Sequence, residues 1–414
     1  MTNSIVITGV GIASPAGEGP KTLFDSMIAG DTHFDKSPTG GRSSRPWAMA
    51  TVDPSVTPWP IGPMWDKTKK YANTAAQAAV FTAVQAVDVA GAATAAEADR
   101  CGTVMAVSSS GADDLGDIIP QLAAMALTDP RSLAKLLYDE VPDYSYIRGI
   151  PSQLGQFVSM ANGFRGSNVA VYGEAGANGL GALALGCRLI DSGELDRVMV
   201  VGVAPAMSVT SLVALDRQDP LARTAGIGRG PFDASRAGAL LGQGAAAIVL
   251  ESEHVAAARG IAPLAVLRGC ESFAATDREV ALDHAVRAVL SAPGSAPQAW
   301  WAHASGSVAV DQQEWQVVRR HLRVPTTSSK GTMGNALECG GLIDIAMAVE
   351  ALARKTVPQV GLLAEPDAAL DGLDAVCGAP RSIPDLDAVL VTSLNHGKSA
   401  ATAGAAVIAK GATP

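Results

Sequence analysis

The residues from Val171 to Gly179 form a glycine-rich run that could present one group for catalysis. This run, Val-Tyr-Gly-Glu-Ala-Gly-Ala-Asn-Gly, precedes an apolar-periodic stretch from Leu180 to Ile190, which predicts a strand, a tight turn and a buried helix. Such an elbow exposes one side chain at a helix N-terminus, where backbone N–H groups and the helix dipole favour developing negative charge. That chemistry suits a nucleophile. Gly176, in the middle of the turn, has no side chain to expose.

Two polar segments further along the chain carry other groups that could act on a carbonyl. The first is Ala302-His-Ala-Ser-Gly-Ser307, followed by Asp311 and Glu314, and the second is Lys330-Gly-Thr-Met-Gly-Asn335. An imidazole and an amide can each hydrogen-bond a carbonyl oxygen, although an amide cannot become a cation or shuttle a proton. Three further residues are candidates for acid or base chemistry of another kind: Glu174, Glu338 and His396.

Four segments and the elbow together carry a resemblance to a known family. The segments are Ile5-Val-Ile-Thr-Gly-Val-Gly-Ile-Ala-Ser-Pro15, Arg229-Gly-Pro-Phe-Asp233 with Arg236 and Gly238, and the His303 and Lys330 motifs. In order and spacing they resemble the β-ketoacyl synthase family of the thiolase fold over nearly the whole chain. The resemblance implies an α/β fold with two pseudo-repeated βαβ-type halves in a layered α/β/α/β/α arrangement.

The resemblance also implies roles that this chain only partly fills. In condensing members a cysteine attacks the acyl thioester, two histidines hold the malonyl thioester carbonyl, and a lysine supports the network. The four matching positions are Gly176, His303, Asn335 and Lys330. Covalent catalysis of this type fails without a thiolate. The family's Gly-Phe-Gly-Gly gate loop is replaced by Asn395, His396, Gly397 and Lys398, so the second oxyanion contact also departs from the family pattern.

Within the family, the class that lacks the nucleophile is the chain length factor, the β subunit of type II polyketide ketosynthase heterodimers. Its members pair with a catalytic α subunit and shape the tunnel for the growing chain. They commonly carry Gln at the nucleophile position and have lost the first histidine, so a chain with Gly176 and His303 resembles a divergent branch. Substrates of the family arrive on the phosphopantetheine of an acyl carrier protein, and we expect no bound cofactor of this chain's own.

The tunnel and the interface can be placed by the same resemblance. Ala112, Leu115 and Ile119 match positions where chain length factors place tunnel-gating side chains, although they could equally be helix-start residues on a core face. The strand predicted over residues 168–172 would pair with its equivalent in the partner subunit.

Each site residue also has a structural explanation. Gly176 could serve only a turn that needs a positive φ, and His303 could be a buried histidine at a strand end. Asn335 could cap the following helix through its side-chain oxygen. Lys330 and Glu314 are expected to form a charge network beneath the former active site.

Two other functions stay open. The chain could be a decarboxylase or an acyltransferase that reuses the pocket without a covalent intermediate, with His303 and the elbow N–H groups polarising a thioester carbonyl. It could also be a homodimeric pseudoenzyme with a regulatory role.

Composition narrows the class of protein. The 414 residues are 48% hydrophobic and carry a formal net charge of −9, which argues against nucleic acid and against anionic membrane surfaces as partners. The first residues already form a strand-like run and lack the basic start of a signal peptide, so we expect a cytoplasmic protein. Five scattered cysteines without CxxC pairing predict no metal site.

Apolar runs alternate with helical stretches in the manner of βαβ units. Predicted strands cover residues 4–10, 103–107, 168–171, 197–203, 245–250, 264–267, 300–302, 388–392 and 403–408. Predicted helices cover residues 71–90, 179–192, 276–290, 311–321 and 339–353. A weak duplication relates residues 171–192 to 330–353. We place the boundary between an N-terminal half, 1–252, and a C-terminal half, 253–414, where a polar helix over residues 251–259 links them.

Overall fold

A computed structural model describes residues 4–36, 47–107, 144–173, 176–204, 209–223, 228–396 and 401–411, with five isolated positions between 132 and 139. Several predicted functional residues lie outside these described residues: the tunnel residues Ala112, Leu115 and Ile119, the gate residues Gly397 and Lys398, and the candidate acid Glu174.

The described residues contain the following strands: β1 (Ile5–Ser14), β2 (Gly17–Glu18), β3 (Phe34–Lys36), β4 (Ala48–Ala50), β5 (Cys101–Val107), β6 (Asn168–Tyr172), β7 (Arg197–Ala204), β8 (Leu241–Gly242), β9 (Gly244–Ser252), β10 (Ala265–Ala275), β11 (Ala299–Trp301), β12 (Thr326–Thr327), β13 (Thr356–Val357), β14 (Arg381–Ser382), β15 (Ala388–Leu394) and β16 (Ala401–Ala409). The α-helices of the same residues are α1 (Pro20–Ala29), α2 (Pro63–Thr68), α3 (Thr74–Ala90), α4 (Ser145–Arg148), α5 (Pro151–Asn162), α6 (Asn178–Asp191), α7 (Val209–Gln218), α8 (Glu253–Ala258), α9 (Arg278–Leu290), α10 (Val308–Val318), α11 (Lys330–Met333) and α12 (Leu337–Arg354).

The main sheet is built from two halves with the same strand order. Its order within the described residues is β12-β11-β15-β16-β10-β1-β9-β7-β5-β6, with β2 beside β1. Outward from β1, β9 pairs antiparallel with β1 and β7 pairs antiparallel with β9. The next two strands are parallel: β5 to β7 and β6 to β5. Outward from β10, strands β16, β15, β11 and β12 repeat that pattern. The duplication seen weakly in the sequence is therefore a duplication of topology.

The two halves meet along a short antiparallel contact and around two central helices. Ile5–Ile7 of β1 pair with Ala265–Leu267 of β10. Helix α6 packs between β5 and β7 on one side and β10 on the other, while α12 packs between β7, β9 and β15. Helices α3 and α5 cover the outer face of the N-terminal half, and α9 and α10 cover the outer face of the C-terminal half. These contacts give the expected α/β/α/β/α layers.

Small residues let the central helices approach each other closely. A Cβ atom on Gly179 of α6 would lie 2.7 Å from the Glu338 carbonyl oxygen of α12, and one on Gly341 would lie 3.1 Å from Leu180 Cγ. The high glycine content thus serves the packing of the middle layer, where α6 follows β6 and α12 follows β12 in their respective halves.

The positions of the predicted elements are correct, but several bounds are wrong. Strand β1 continues to Ser14 and β10 to Ala275, four and eight residues beyond their predicted ends at 10 and 267. Helix α9 begins later than predicted because the Asp277 carboxylate caps it, accepting from Glu279 N at 2.6 Å. The polar linking helix is shorter than predicted, at Glu253–Ala258, since Glu251 belongs to β9 and is fully buried. The exact boundary at residue 252 stays a proposal.

Among the described residues no helix is both long and apolar enough to cross a bilayer. In the same residues no group of three or more histidine, cysteine or acidic side chains is arranged to hold a metal ion.

Candidate functional site

The elbow lies where β5 and β6 end and α6 begins. Asn178, the first residue of α6, is 4% exposed, and its Nδ2 donates to Val107 O at 2.8 Å and to Val171 O at 2.9 Å. One buried amide therefore fixes the ends of both strands over the helix N-terminus. The sequence interpretation passed over Asn178, although a polar residue at the start of an otherwise small and apolar helix was a usable signal.

Gly176 has no room for a side chain. Its φ of +115° falls in the region that favours glycine. A Cβ atom there would lie 2.0 Å from Leu394 O and 3.1 Å from Asn395 Cα, at the end of β15. Ser393 Oγ donates to Gly176 O at 2.6 Å and ties this strand end to the elbow. The space where a side chain of residue 176 would begin is therefore occupied by the main chain of β15.

His303 follows β11 in a turn that Glu314 holds in place. The Glu314 carboxylate accepts from His303 N at 2.8 Å and from Ala304 N at 2.9 Å, and Ala304 has a φ of +35°. Thr392 Oγ1 donates to the same carboxylate at 2.6 Å. Burial raises the pKa of Glu314 to about 7, against the effect of these three donors. Glu314 is thus a positioning residue for the turn.

The imidazole of His303 is held neutral. The residue is 2% exposed, and burial lowers its pKa well below the usual range, with the positive charges of Lys330 and Arg278 adding to the effect. A neutral imidazole can donate one hydrogen bond and accept another, but it carries no charge toward a developing oxyanion.

Lys330 and Glu314, expected to form a charge network, influence each other through their charges, but their direct partners differ. Lys330, at 1% exposure, forms its ion pair with Asp344 of α12, and Ser329 Oγ donates to the other carboxylate oxygen of Asp344 at 2.6 Å. The positive charge of Lys330 acts on Glu314 from a distance and favours a lower pKa of its carboxyl group. Sequence reasoning missed Asp344 because it lies 14 residues away, inside an apolar helix.

Asn335 lies just before α12 and hydrogen-bonds to its first residue, while Ala336 holds the N-cap position and the helix has no side-chain cap there. Asn335 Oδ1 accepts from Leu337 N at 3.1 Å, and its backbone N–H donates to Leu240 O at 2.7 Å. Its Nδ2 is buried and has no partner among the described residues. A Cβ atom on Gly340 would lie 3.3 Å from Asn335 Oδ1 and 4.0 Å from Lys330 Cε, so the two motif residues share one corner of the site.

The first two residues of the gate loop are built into the fold. Asn395 and Thr402 form a two-way pair, in which Thr402 N donates to Asn395 Oδ1 at 3.1 Å and Asn395 N donates to Thr402 O at 3.2 Å. His396 Nε2 donates to Leu215 O at 3.1 Å, and burial lowers the pKa of this imidazole. Both side chains therefore hold the strand end that covers Gly176.

The thiol of Cys339 is not available to act as a nucleophile in this structure. Its side chain is fully buried, its Sγ donates to Ala336 O at 3.1 Å, and burial raises the pKa of the thiol. The acid candidate Glu338 is likewise buried in the first turn of α12. Gly176 lies against Asn395, and Asn335 and Lys330 both lie near Gly340. The charges of Lys330 and His396 act on the pKa of His303.

The family follows from the match of its sequence profile. The profile of the β-ketoacyl synthase N-terminal domain matches residues 2–256. This chain belongs to the β-ketoacyl synthase family. It is 28% identical over 422 residues to a putative polyketide β-ketoacyl synthase 1 of Streptomyces virginiae, covering 95% of each chain. It is 26% identical over 413 residues to the tetracenomycin polyketide synthase ketoacyl synthase alpha subunit of Streptomyces glaucescens, covering 91% of each chain.

Solved structures share the fold over the whole chain. A β-ketoacyl synthase from Burkholderia phymatum superposes with a TM-score of 0.84 at 23% identity, covering 99% of this chain and 100% of that one. The ishigamide ketosynthase/chain length factor superposes with a TM-score of 0.82 at 19% identity over 100% of both chains. A type II ketosynthase solved with its acyl carrier protein, AntDE:AntF, gives 0.81 at 19% identity, again over 100% of both chains. At these identities the likeness establishes the thiolase-like fold.

Proposed function

We propose that this chain is a non-condensing, chain length factor-like subunit that pairs with a cysteine-bearing ketosynthase and shapes the tunnel for the growing chain. The observation that carries the proposal is the position of the Leu394 carbonyl, 2.0 Å from where a Gly176 side chain would begin. A covalent acyl intermediate needs a nucleophile at that point. The relatives with polyketide ketosynthase names supply the biosynthetic context.

A direct test uses the isolated full-length chain. We expect no CO2 release from a malonyl-carrier thioester and no acyl adduct after incubation with an acyl-carrier thioester. Release of CO2 at a rate above that of the thioester in buffer would favour the non-covalent decarboxylase and contradict the proposal. That alternative, and the related acyltransferase with His303, has less support because β15 closes the elbow and burial keeps the imidazole neutral.

The outer edge of β6 is the surface that we propose for the partner. Within the described residues β6 ends the sheet, with β5 on its inner side, and its residues are exposed or half-buried. Tyr172 at its end is 62% exposed. An edge strand with free N–H and C=O groups is a template for a strand of another chain. Pairing across this edge would continue the sheet into the partner subunit.

The register of β6 identifies which backbone groups face that partner. Thr103 N donates to Ser167 O at 2.9 Å, and Met105 lies opposite Ala170. In a parallel pair every second residue directs its N–H and C=O toward the neighbouring strand. Residues in phase with Ser167 therefore face β5, and Ala170 directs its backbone groups outward.

Ala170→Pro is expected to weaken the heterodimer roughly 100-fold while leaving the isolated chain folded, because proline removes one outward donor and its ring obstructs the incoming strand. Analytical ultracentrifugation with a co-expressed cysteine-bearing ketosynthase measures the change. Ala170→Gly, which keeps the N–H group, is the matched control and should retain most of the affinity. Equal affinity of Ala170→Pro and Ala170→Gly would show that β6 does not pair with the partner.

A basic cluster near α2 is our proposed contribution of this chain to carrier docking. Lys67, Lys69 and Lys70 are exposed on α2 and the turn that follows it, and Ile61 beside them is 97% exposed. Carrier proteins of the family are acidic, so a basic surface with an exposed apolar side chain complements them. Residues 319–323, Arg-Arg-His-Leu-Arg, form another basic run, in which Arg320 pairs with Glu279 at 3.7 Å.

The double change Lys67→Glu and Lys69→Glu is expected to lower carrier affinity of the heterodimer roughly tenfold at low salt, since each exposed charge contact contributes only a fraction of a kcal/mol to about 1 kcal/mol. Surface plasmon resonance with the acyl carrier protein measures it. Arg319→Glu with Arg323→Glu is the matched control and should change affinity less. An equal loss from both pairs would assign the effect to net charge and remove the docking site from Lys67–Lys70.

A further inference from the structure

A cavity of about 130 Å³ lies between the first turns of α3 and the N-terminal half-sheet. Its floor is formed by the ends of β1 and β7 and the first residues of β9, and its roof by the loop over residues 52–57. Pro54 and Thr74 are exposed members of the lining, so the cavity opens to solvent between the loop and the helix. No step of the proposed function uses this cavity.

The lining limits the charge and the size of a ligand. None of the described residues that line the cavity is ionisable, and small apolar residues such as Ala13, Val203 and Ala245 supply its floor. A carboxylate or a phosphate would therefore lose hydration there without gaining a countercharge. A protein cavity of roughly 150 Å³ can hold benzene, a molecule of about six heavy atoms. The cavity thus fits a small neutral molecule.

Gln243 supplies a free hydrogen-bond donor at this cavity. Its Oε1 accepts from Val52 N at 2.9 Å, and its own backbone N–H donates to Ala50 O at 2.8 Å. A backbone N–H can only donate, so the contact with Val52 fixes which atom of the amide is the oxygen. Nε2 is the remaining amide atom, and no acceptor in the described part of the chain meets it.

Gln77 supplies a free acceptor to the same cavity. Its Nε2 donates to Thr57 O, at the other end of the roof loop from Val52. Because a carbonyl can only accept, Oε1 is the free amide atom, and no donor among the described residues meets it. Neither this Oε1 nor Gln243 Nε2 is enclosed, in contrast to Oε1 of Gln359, which is buried and also lacks a partner. Both atoms can therefore be reached from the cavity that their side chains line.

We propose that this cavity, the Gln243 cavity, binds a small primary carboxamide with a short alkyl chain. The carbonyl of the ligand accepts from Gln243 Nε2, its amide N–H donates to Gln77 Oε1, and its alkyl chain packs against Val203 and Ala245. A primary carboxamide carries the acceptor and the donor on one planar group, whereas a carboxylate has no donor for Gln77. The proposal stands independently of the heterodimer role.

Butyramide is the probe for the test, titrated into the full-length chain and followed by saturation-transfer NMR. We expect saturable binding of one butyramide per chain. Butyrate and methyl propionate are similar in size but lack the amide donor, and each should bind about tenfold more weakly.

Two variants locate the site. Gln243→Glu keeps the acceptor for Val52 N but replaces the free donor by a second acceptor, and it should weaken butyramide binding about tenfold. Ala78→Leu, on the α3 wall, fills the cavity and should abolish binding. Val84→Leu, at an exposed position of α3, is the matched control and should bind as the parent does.

Absence of saturable butyramide binding to the parent chain would overturn the proposal, as would unchanged binding to Ala78→Leu. Equal binding of butyramide, butyrate and methyl propionate would overturn the pairing with Gln77. Unchanged binding of butyramide to Gln243→Glu would overturn the pairing with Gln243, and this variant keeps the proposal testable if Ala78→Leu fails to fold.

Discussion

Gly176→Cys is expected to destabilise the chain severely and to yield no acyl adduct. The new Cβ would meet the Leu394 carbonyl oxygen at 2.0 Å, and both groups belong to backbone that cannot rotate away. A positive φ adds strain for any residue with a Cβ. Overpacking and strain together should cost about 3 kcal/mol or more in the free energy of unfolding. Because the packing of β15 leaves no room for a side chain at residue 176, we expect that one substitution there does not supply a nucleophile.

Gly176→Ala and Gly193→Ala form a matched pair for this prediction. Gly193 has a φ of +71°, and a Cβ there meets nothing within 4 Å, so its replacement costs only the strain of the backbone, about 1 kcal/mol. Urea unfolding of both variants isolates the clash at Gly176. Equal stability losses would mean that β15 yields to a side chain at the elbow, and an acyl adduct on Gly176→Cys would contradict the closed site.

Lys330→Met is expected to lower the free energy of unfolding by about 3–5 kcal/mol, because it leaves the Asp344 carboxylate buried without its cation. Burial raises the pKa of Asp344, so part of this loss will be relieved by protonation of Asp344 at low pH. The double change Lys330→Met with Asp344→Asn removes both charges and should recover most of the stability. Chemical unfolding at neutral pH measures all three proteins.

Lys355→Met is the matched surface control for the buried pair. Lys355 Nζ lies 3.0 Å from Asp387 Oδ1, with side chains 26% and 65% exposed, and such a pair contributes about 1 kcal/mol or less. Losses of similar size from Lys330→Met and Lys355→Met would show that the buried pair carries no special weight. Failure of the double change to recover stability would mean that Lys330 acts through other contacts.

The order of the elements was predictable from the sequence. Alternating apolar runs located the main strands and helices, and the second polar motif brings Lys330 and Asn335 to one corner near Gly340. Local signals sufficed because each motif sits at a strand end or a helix start. The predicted end of β10 was wrong because the second half of this strand is partly exposed and does not form a continuous apolar run in the sequence.

The closure of the elbow was not predictable in the same way. It depends on Ser393 and Leu394, more than 200 residues from Gly176 and brought beside it only by the packing of α6 and α12 between the two halves. The ion pair between Lys330 and Asp344 was equally hard to predict, because Asp344 lies in a helix of mostly apolar residues that indicates a buried core. Glu251 was assigned to the polar helix that links the two halves, and only the pairing of β9 with β7 shows that it is buried beside Arg197.

Intact-protein mass spectrometry of the heterodimer tests the central claim most directly. The chain is co-expressed with a cysteine-bearing ketosynthase, the complex is purified and incubated with an acyl-carrier thioester, and each subunit is weighed. We expect a one-to-one complex in which the acyl mass appears only on the ketosynthase. An acyl adduct on this chain, or a homodimer that condenses malonyl units without the ketosynthase, would contradict the account.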